Sequence, residues 1–288
     1  MIPNTLLRQK ARKALAPVLP IVLLCALIAS LPSLISQTVG ILTGGSLPMY
    51  VLNSIQTPDQ LMALASDPNQ LLALLRTYPE SGERLLALGL SVLSFLVSPF
   101  LSVGLYHTLQ CVLRGEEISA GTVLERTGCL FKALGLNLLT TVKTVLWTLP
   151  GLAVIFLSTW LLMLTRQVQL FTFLYTAGLI LSMVLTLRAM LHYCLANVVL
   201  ADNPDRGVMG ALRESIAVMR YRKMLFINLQ LPMYFLLLLA TMLLEGMLTA
   251  LLGTVLSSTV MMVIQLVVSV YMAANSCAFF QTYRTQQG

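Results

Sequence analysis

Arg188 and His192 are the residues of this chain best placed to do chemistry. They stand four residues apart inside an apolar run, so on a helix they share one face. Ionisable groups within a membrane-length segment are costly to hold there and are functional candidates by default. Two basic groups side by side disfavour the imidazolium, so His192 is expected as the neutral ring. Such a pair would take an anionic headgroup or a transported anion. The alternative is that Arg188 bonds to backbone carbonyls, or to a carboxylate on another span, and sets the register of a bundle. Glu245 is the one acid inside an apolar stretch, near its outer end and at a depth unlike that of Arg188.

Enzyme signatures are missing. His107 and His192 form no His-Glu-x-x-His zinc motif, and no phosphate loop, dinucleotide glycine fingerprint or nucleophile elbow occurs. Cys25, Cys111, Cys129, Cys194 and Cys277 lie in or beside apolar segments without a CxxC pair, and they read as small apolar residues. No catalytic residue, metal ligand or cofactor is assigned.

The elements that must position these residues follow from composition. The 288 residues are 57% hydrophobic and 10% charged, against roughly 25% charged in a soluble domain. Charge-poor apolar stretches run at about 18–38, 85–112, 134–163, 170–200, 225–249 and 255–280. Each is long enough for a spanning helix, which needs about 20 residues. The prediction is an all-α polytopic bundle of six transmembrane helices in one membrane domain, residues 1–288. On this reading Arg188 lies halfway along the fourth span. Pro150-Gly151 is the expected break in the third, and tilt or a turn must absorb the excess length of both. Lys143 is expected to snorkel toward the cytoplasmic interface.

Lys and Arg divide unequally between alternate loops. The N-terminus, the 113–132 and 201–224 loops and the C-terminus hold 13, against 3 on the other side. This places both termini in the cytoplasm. The outer loop 39–84 carries a repeat, Thr57-Pro58-Asp59-Gln60-Leu61 and Asp67-Pro68-Asn69-Gln70-Leu71, which reads as two short capped helices. In the 201–224 loop, Asn203-Pro204 starts a helix expected over 204–223. Met209, Leu212, Ile216 and Met219 form one stripe on it, beside Arg206, Arg213 and Arg220, with Arg222 and Lys223 at its end. That pattern describes an amphipathic helix lying in the cytoplasmic interface. Its arginines would contact anionic lipid or a membrane protein partner, or simply enforce topology.

Several landmarks together resemble a bacterial family of polytopic integral membrane proteins known as a domain of unknown function. They are Arg8-Gln9-Lys10-Ala11-Arg12, a small-residue turn Ser98-Pro99…Gly104, Leu113-Arg114-Gly115-Glu116, and Leu146-Trp147 before Pro150-Gly151. Leu200-Ala201-Asp202-Asn203-Pro204 and Ala211-Leu212-Arg213-Glu214-Ser215 are the most distinctive. The resemblance implies a multi-pass bacterial inner-membrane protein and supplies no catalytic residue. The function expected is a non-enzymatic, lipid- or partner-binding accessory component, with a small-solute transporter or channel as the alternative. Nucleic acid is not an expected partner.

Overall fold

The computed structural model describes residues 4–42, 82–125 and 127–284, and its regular structure is helical throughout. The helices are α1 (Asn4–Leu15), α2 (Leu19–Leu42), α3 (Gly82–Arg114), α4 (Leu130–Thr165), α5 (Val168–Tyr193), α6 (Ala196–Asp202), α7 (Gly207–Met219) and α8 (Lys223–Arg284). Short 3-10 turns lie at Ala16–Val18, Ala120–Leu124, Thr127–Cys129 and Pro204–Arg206. Six segments are long and apolar enough to cross a membrane: Asn4–Pro32, Val92–Arg114, Leu130–Leu162, Val168–Asp202, Lys223–Leu244 and Val260–Arg284. The chain is an all-α, multi-pass membrane protein. The outer-loop repeat lies outside the described residues.

Two compact units divide the chain, residues 1–29 with 99–288, and residues 30–98. The smaller holds the second half of α2 and the first half of α3, with Ile35, Leu93 and Phe95 exposed. The larger holds the motif residues of the 200–226 region and the Arg188–His192 pair.

Prolines lie inside four spans' worth of helix without ending them. Pro150 sits within α4, which runs unbroken from Leu130 to Thr165, so the expected break is corrected. Gly151 instead marks a close crossing. A Cβ there would stand 2.6 Å from the backbone of Ser182 on α5, and one at Gly178 would stand 2.8 Å from Ile155 Cγ1. Small residues let membrane helices approach closely, and that contact is what drives their association. The Ser98–Gly104 stretch is likewise no turn but continuous α3. Gly104 faces the backbone of Val123 so tightly that a Cβ would overlap the Val123 carbonyl oxygen.

Helical backbone extends over Lys223–Arg284, yet Gln230 Nε2 donates to Met272 O and to Ser276 Oγ, 2.9 Å each. A straight helix would hold these residues about 65 Å apart at 1.5 Å per residue. The chain therefore doubles back between Gln230 and Met272, and α8 contains two antiparallel spans. Phe226 meets Phe279 edge-on at 5.2 Å, and the Arg222 guanidinium lies 4.6 Å from the Tyr283 ring centre.

The core gathers at one end of this unit. Leu7, Ala11 and Leu15, one face of α1 at four-residue spacing, are buried there with Leu136, Leu200, Leu212, Met219, Leu229 and Phe280. The basic N-terminal, 113–132, 201–224 and C-terminal stretches meet at this same basic end. Towards the other end, Phe156, Phe173, Met183 and Met242 are exposed, as lipid-facing side chains of a membrane bundle are.

One contact at the basic end shows how a membrane helix tolerates proline. Pro232 has no N–H, so the Asn228 carbonyl lacks its helical donor. Arg8 from α1 supplies one instead, with Nη2 2.5 Å from Asn228 O and Nε 3.3 Å from Leu229 O. Arg8→Ala is expected to cost about 1–2 kcal/mol, the loss of a charged donor from an otherwise orphaned acceptor. In a Pro232→Ala background the helix regains its own donor and the Arg8 cost should shrink by about half. Thermal unfolding of the four chains in detergent measures this, and strictly additive effects would rule the pairing out.

Candidate functional site

The motif residues of the 200–226 region converge on one ion-pair lattice. The Asp202 carboxylate is nearly buried between Arg114, at the end of α3, and Arg284, at the end of α8. Glu214 on α7 pairs with Arg206, and Arg284 Nε lies 3.6 Å from it. Both Arg114 and Arg284 occupy last helical turns, where their charge opposes the negative end of the helix dipole. Gly115, at φ +77, closes α3: its N–H donates to Val112 O at 3.1 Å and the Glu116 N–H to Cys111 O at 3.0 Å. That double bond is the usual glycine-dependent helix end. Asn203 Oδ1 accepts from the Asp205 N–H at 3.2 Å, as expected of a cap, but the turn it starts is a short 3-10 piece ending at Arg206.

The helix expected over 204–223 is corrected accordingly. α7 proper spans Gly207–Met219, and Lys223 already belongs to α8. Its apolar face does not lie open to the bilayer. Leu212, Val218 and Met219 are buried in the bundle core, Ile216 is half-buried and Met209 is exposed. The spacing is the same for either destination, and the neighbouring α4, α5, α6 and α8 supply the nearer apolar surface. The basic stripe divides too. Arg206 is held by Glu214, Arg213 and Arg220 are exposed, and Arg222 stacks on Tyr283.

Lys223 joins a different cluster. Its Nζ lies 2.9 Å from His192 Nε2, while His192 Nδ1 lies 2.6 Å from the Arg188 carbonyl oxygen. A carbonyl only accepts, so Nδ1 carries the proton and Nε2 offers its lone pair to the ammonium. His192 is thereby the neutral ring expected from sequence. Ser215 Oγ donates to His192 O at 2.8 Å, tying α7 to the end of α5. The Trp147 ring of α4 stacks on His192, centroids 6.4 Å apart, and carries the Arg188 guanidinium 5.6 Å from its centre. Lys143 Nζ stands 5.8 Å from the centre of the Tyr193 ring. No family model, no curated protein and no solved structure matches this chain.

α5 ends at Tyr193, with a turn at Cys194-Leu195, so Arg188 lies within the last six residues of that helix. The sequence conceals this because apolar residues continue through the turn into α6. Arg188 is exposed on the bundle flank, and no carboxylate pairs with Arg188, Lys143 or Lys223 among the described residues. The Glu245 side chain lies outside the described residues. No group of three His, Cys, Asp or Glu placed to hold a metal occurs among the described residues.

Next to the cluster runs a groove of about 750 Å³ between α4, α5 and the first span of α8. Thr140 and Thr144 line one wall, Leu187, Met190 and Tyr193 the second, and Gln230, Leu231 and Tyr234 the third. Leu187, Met190, Leu231 and Tyr234 are exposed, so the groove opens sideways on the lipid-facing flank. The threonine hydroxyls donate back to their own helix, to Leu136 O and Thr140 O, which leaves a mostly apolar trough. Lys223 precedes Ile227, Gln230 and Tyr234 on one stripe of α8 and so caps the basic end of the groove. Sequence reasoning missed Gln230, Tyr193 and the threonines. Their only signal was helical spacing, which polar and apolar linings share.

Proposed function

We propose that this protein is a non-enzymatic, lipid-binding accessory component of a bacterial inner membrane, with both termini in the cytoplasm. The observation that carries the reading is the sideways-open apolar groove, beside which stand Arg188, Lys223 and Lys143, cations with no carboxylate partner among the described residues. An acyl chain matches the trough, because a mostly apolar wall offers little to a polar solute. The orientation rests on the 13-to-3 division of Lys and Arg. A solute path is the weaker reading: Pro150 leaves α4 unbroken and Arg188 stands on the outer flank. The family resemblance of the 200–226 motif is in keeping with a bacterial membrane protein and adds no activity.

Native mass spectrometry of the full chain in mild detergent tests this. The wild-type protein should retain phospholipid. Met190→Trp, which places a large ring at the exposed lip of the groove, should weaken retention about ten-fold, roughly the contribution of one well-packed apolar contact. Equal retention in both, with unchanged thermal unfolding, would remove the groove from the argument.

A further inference from the structure

We infer that Arg188, Lys223 and Lys143 form a cradle for the phosphate of an anionic glycerophospholipid whose acyl chain lies in the groove. The inference rests on the lipid-binding reading and deepens it by naming the headgroup chemistry.

Each cation is fixed by a partner that takes up little of its hydrogen-bonding capacity. Arg188 is stacked on the face of Trp147, an attraction that leaves the N–H groups at the guanidinium edge free to donate. Lys223 gives one of its three N–H donors to His192 Nε2 and keeps two. Lys143 is set over Tyr193. Lys223 reaches His192 at 2.9 Å, His192 lies against Trp147 and Tyr193 with ring centres 6.4 and 6.3 Å away, and those two rings carry Arg188 at 5.6 Å and Lys143 at 5.8 Å, so one run of contacts joins all three cations. Elsewhere at the basic end the structure does provide acids: Arg114, Arg206 and Arg284 all have carboxylate partners. The cluster has none among the described residues.

Position selects the counter-ion. Arg188 lies where the exposed Leu187 and Met190 of α5 give way to the buried Tyr193, Leu195 and Ala196, and a tryptophan lies with it. Arg, Lys and Trp collect at the level of lipid headgroups for that reason. A bilayer presents phosphate at that depth and acyl chains directly beneath it. A groove with apolar walls and a cationic cap is complementary to that one molecule from head to tail. Zwitterionic lipid matches it less well, since the cluster has no acid among the described residues to receive a choline ammonium.

The site contains its own reporter. The chain has two tryptophans, so Trp160→Phe leaves Trp147, in contact with Arg188 and His192, as the sole indole. The full-length Trp160→Phe protein would be placed in phosphatidylcholine nanodiscs doped with increasing phosphatidylglycerol, and Trp147 emission followed. A saturable change is expected. Arg188→Gln and Lys223→Gln should each weaken it about ten-fold, and Arg188→Lys should recover part of the loss. Thermal unfolding of the variants checks that the fold is intact.

If emission does not respond to phosphatidylglycerol while native spectra still show retained lipid of any headgroup, the cradle is wrong and the groove reading stands. If neither assay shows lipid, both fall. If inorganic phosphate alone produces the same saturable change, the site takes a soluble anion and the lipid assignment is overturned.

Discussion

Asp202→Asn is expected to lower the stability of the chain by about 2–3 kcal/mol, less than the 3–5 typical of breaking a buried ion pair. The full figure applies when both partners are buried. Here the carboxylate is 6% exposed, but Arg114 and Arg284 keep 42% and 37% of their side chains accessible. Removing the charge leaves two guanidiniums at the ends of α3 and α8 without their shared acceptor, and only partial access to solvent to replace it. Arg114→Gln or Arg284→Gln alone should cost less, because Asp202 then keeps one partner. Added to Asp202→Asn, either should cost little more, as expected of groups in one network. Scanning fluorimetry in detergent reads the midpoints. An Asp202→Asn midpoint equal to wild type would show that the lattice contributes nothing to folding. The consequence extends to the proposed site, since α7 holds the end of α5 through Ser215 and His192 O. Hydrogen exchange of residues 196–219 should rise in the variant together with the loss of stability.

Gly104→Ala is the second large effect, about 3 kcal/mol of overpacking. The obstacle is backbone: the Val123 carbonyl oxygen and carbon stand where the new methyl would go. Val123 is fully buried in a 3-10 turn whose start is fixed by reciprocal Ser119 and Thr122 bonds, so the turn cannot yield by a rotamer change. The expected result is a sharp fall in the monodisperse fraction on size-exclusion chromatography and a lower unfolding midpoint. Gly89→Ala is the control. Nothing stands within 4 Å of a Cβ there, and the change should stabilise its helix by roughly 0.5–1 kcal/mol. Equal behaviour of the two variants would refute the steric account.

These variants also show why some motif residues are misleading in sequence. Arg206, Arg213 and Arg220 recur every seven residues and read as one contact surface. In the structure Arg206 is held by Glu214, and the apolar stripe beside it is core. Periodicity records that a helix has an apolar face; it does not record whether lipid or protein covers that face. Arg188 shows a related limit. Hydropathy runs on unchanged through the turn at Cys194-Leu195, so the end of α5 just beyond Arg188 leaves no mark in the sequence.

The sequence by itself determined the all-α class, the six spans and which loops share the basic end. Those follow from terms that sum along the chain: about 20 apolar residues satisfy their own backbone in a bilayer only as helix, and Lys and Arg count loop by loop. That Arg188 and His192 share one stretch of helix was legible too, because a separation of four residues is fixed by helical geometry alone. Tertiary structure decided everything that needed two distant segments. It brought Asp202 to Arg114 and Arg284, Arg8 to the carbonyl that Pro232 orphans, and Lys223 to His192 across 31 residues. It also turned Pro150-Gly151 from an expected break into a packing notch against Ser182. A side chain's partner depends on which helices touch and at what height, and local propensity contains neither quantity.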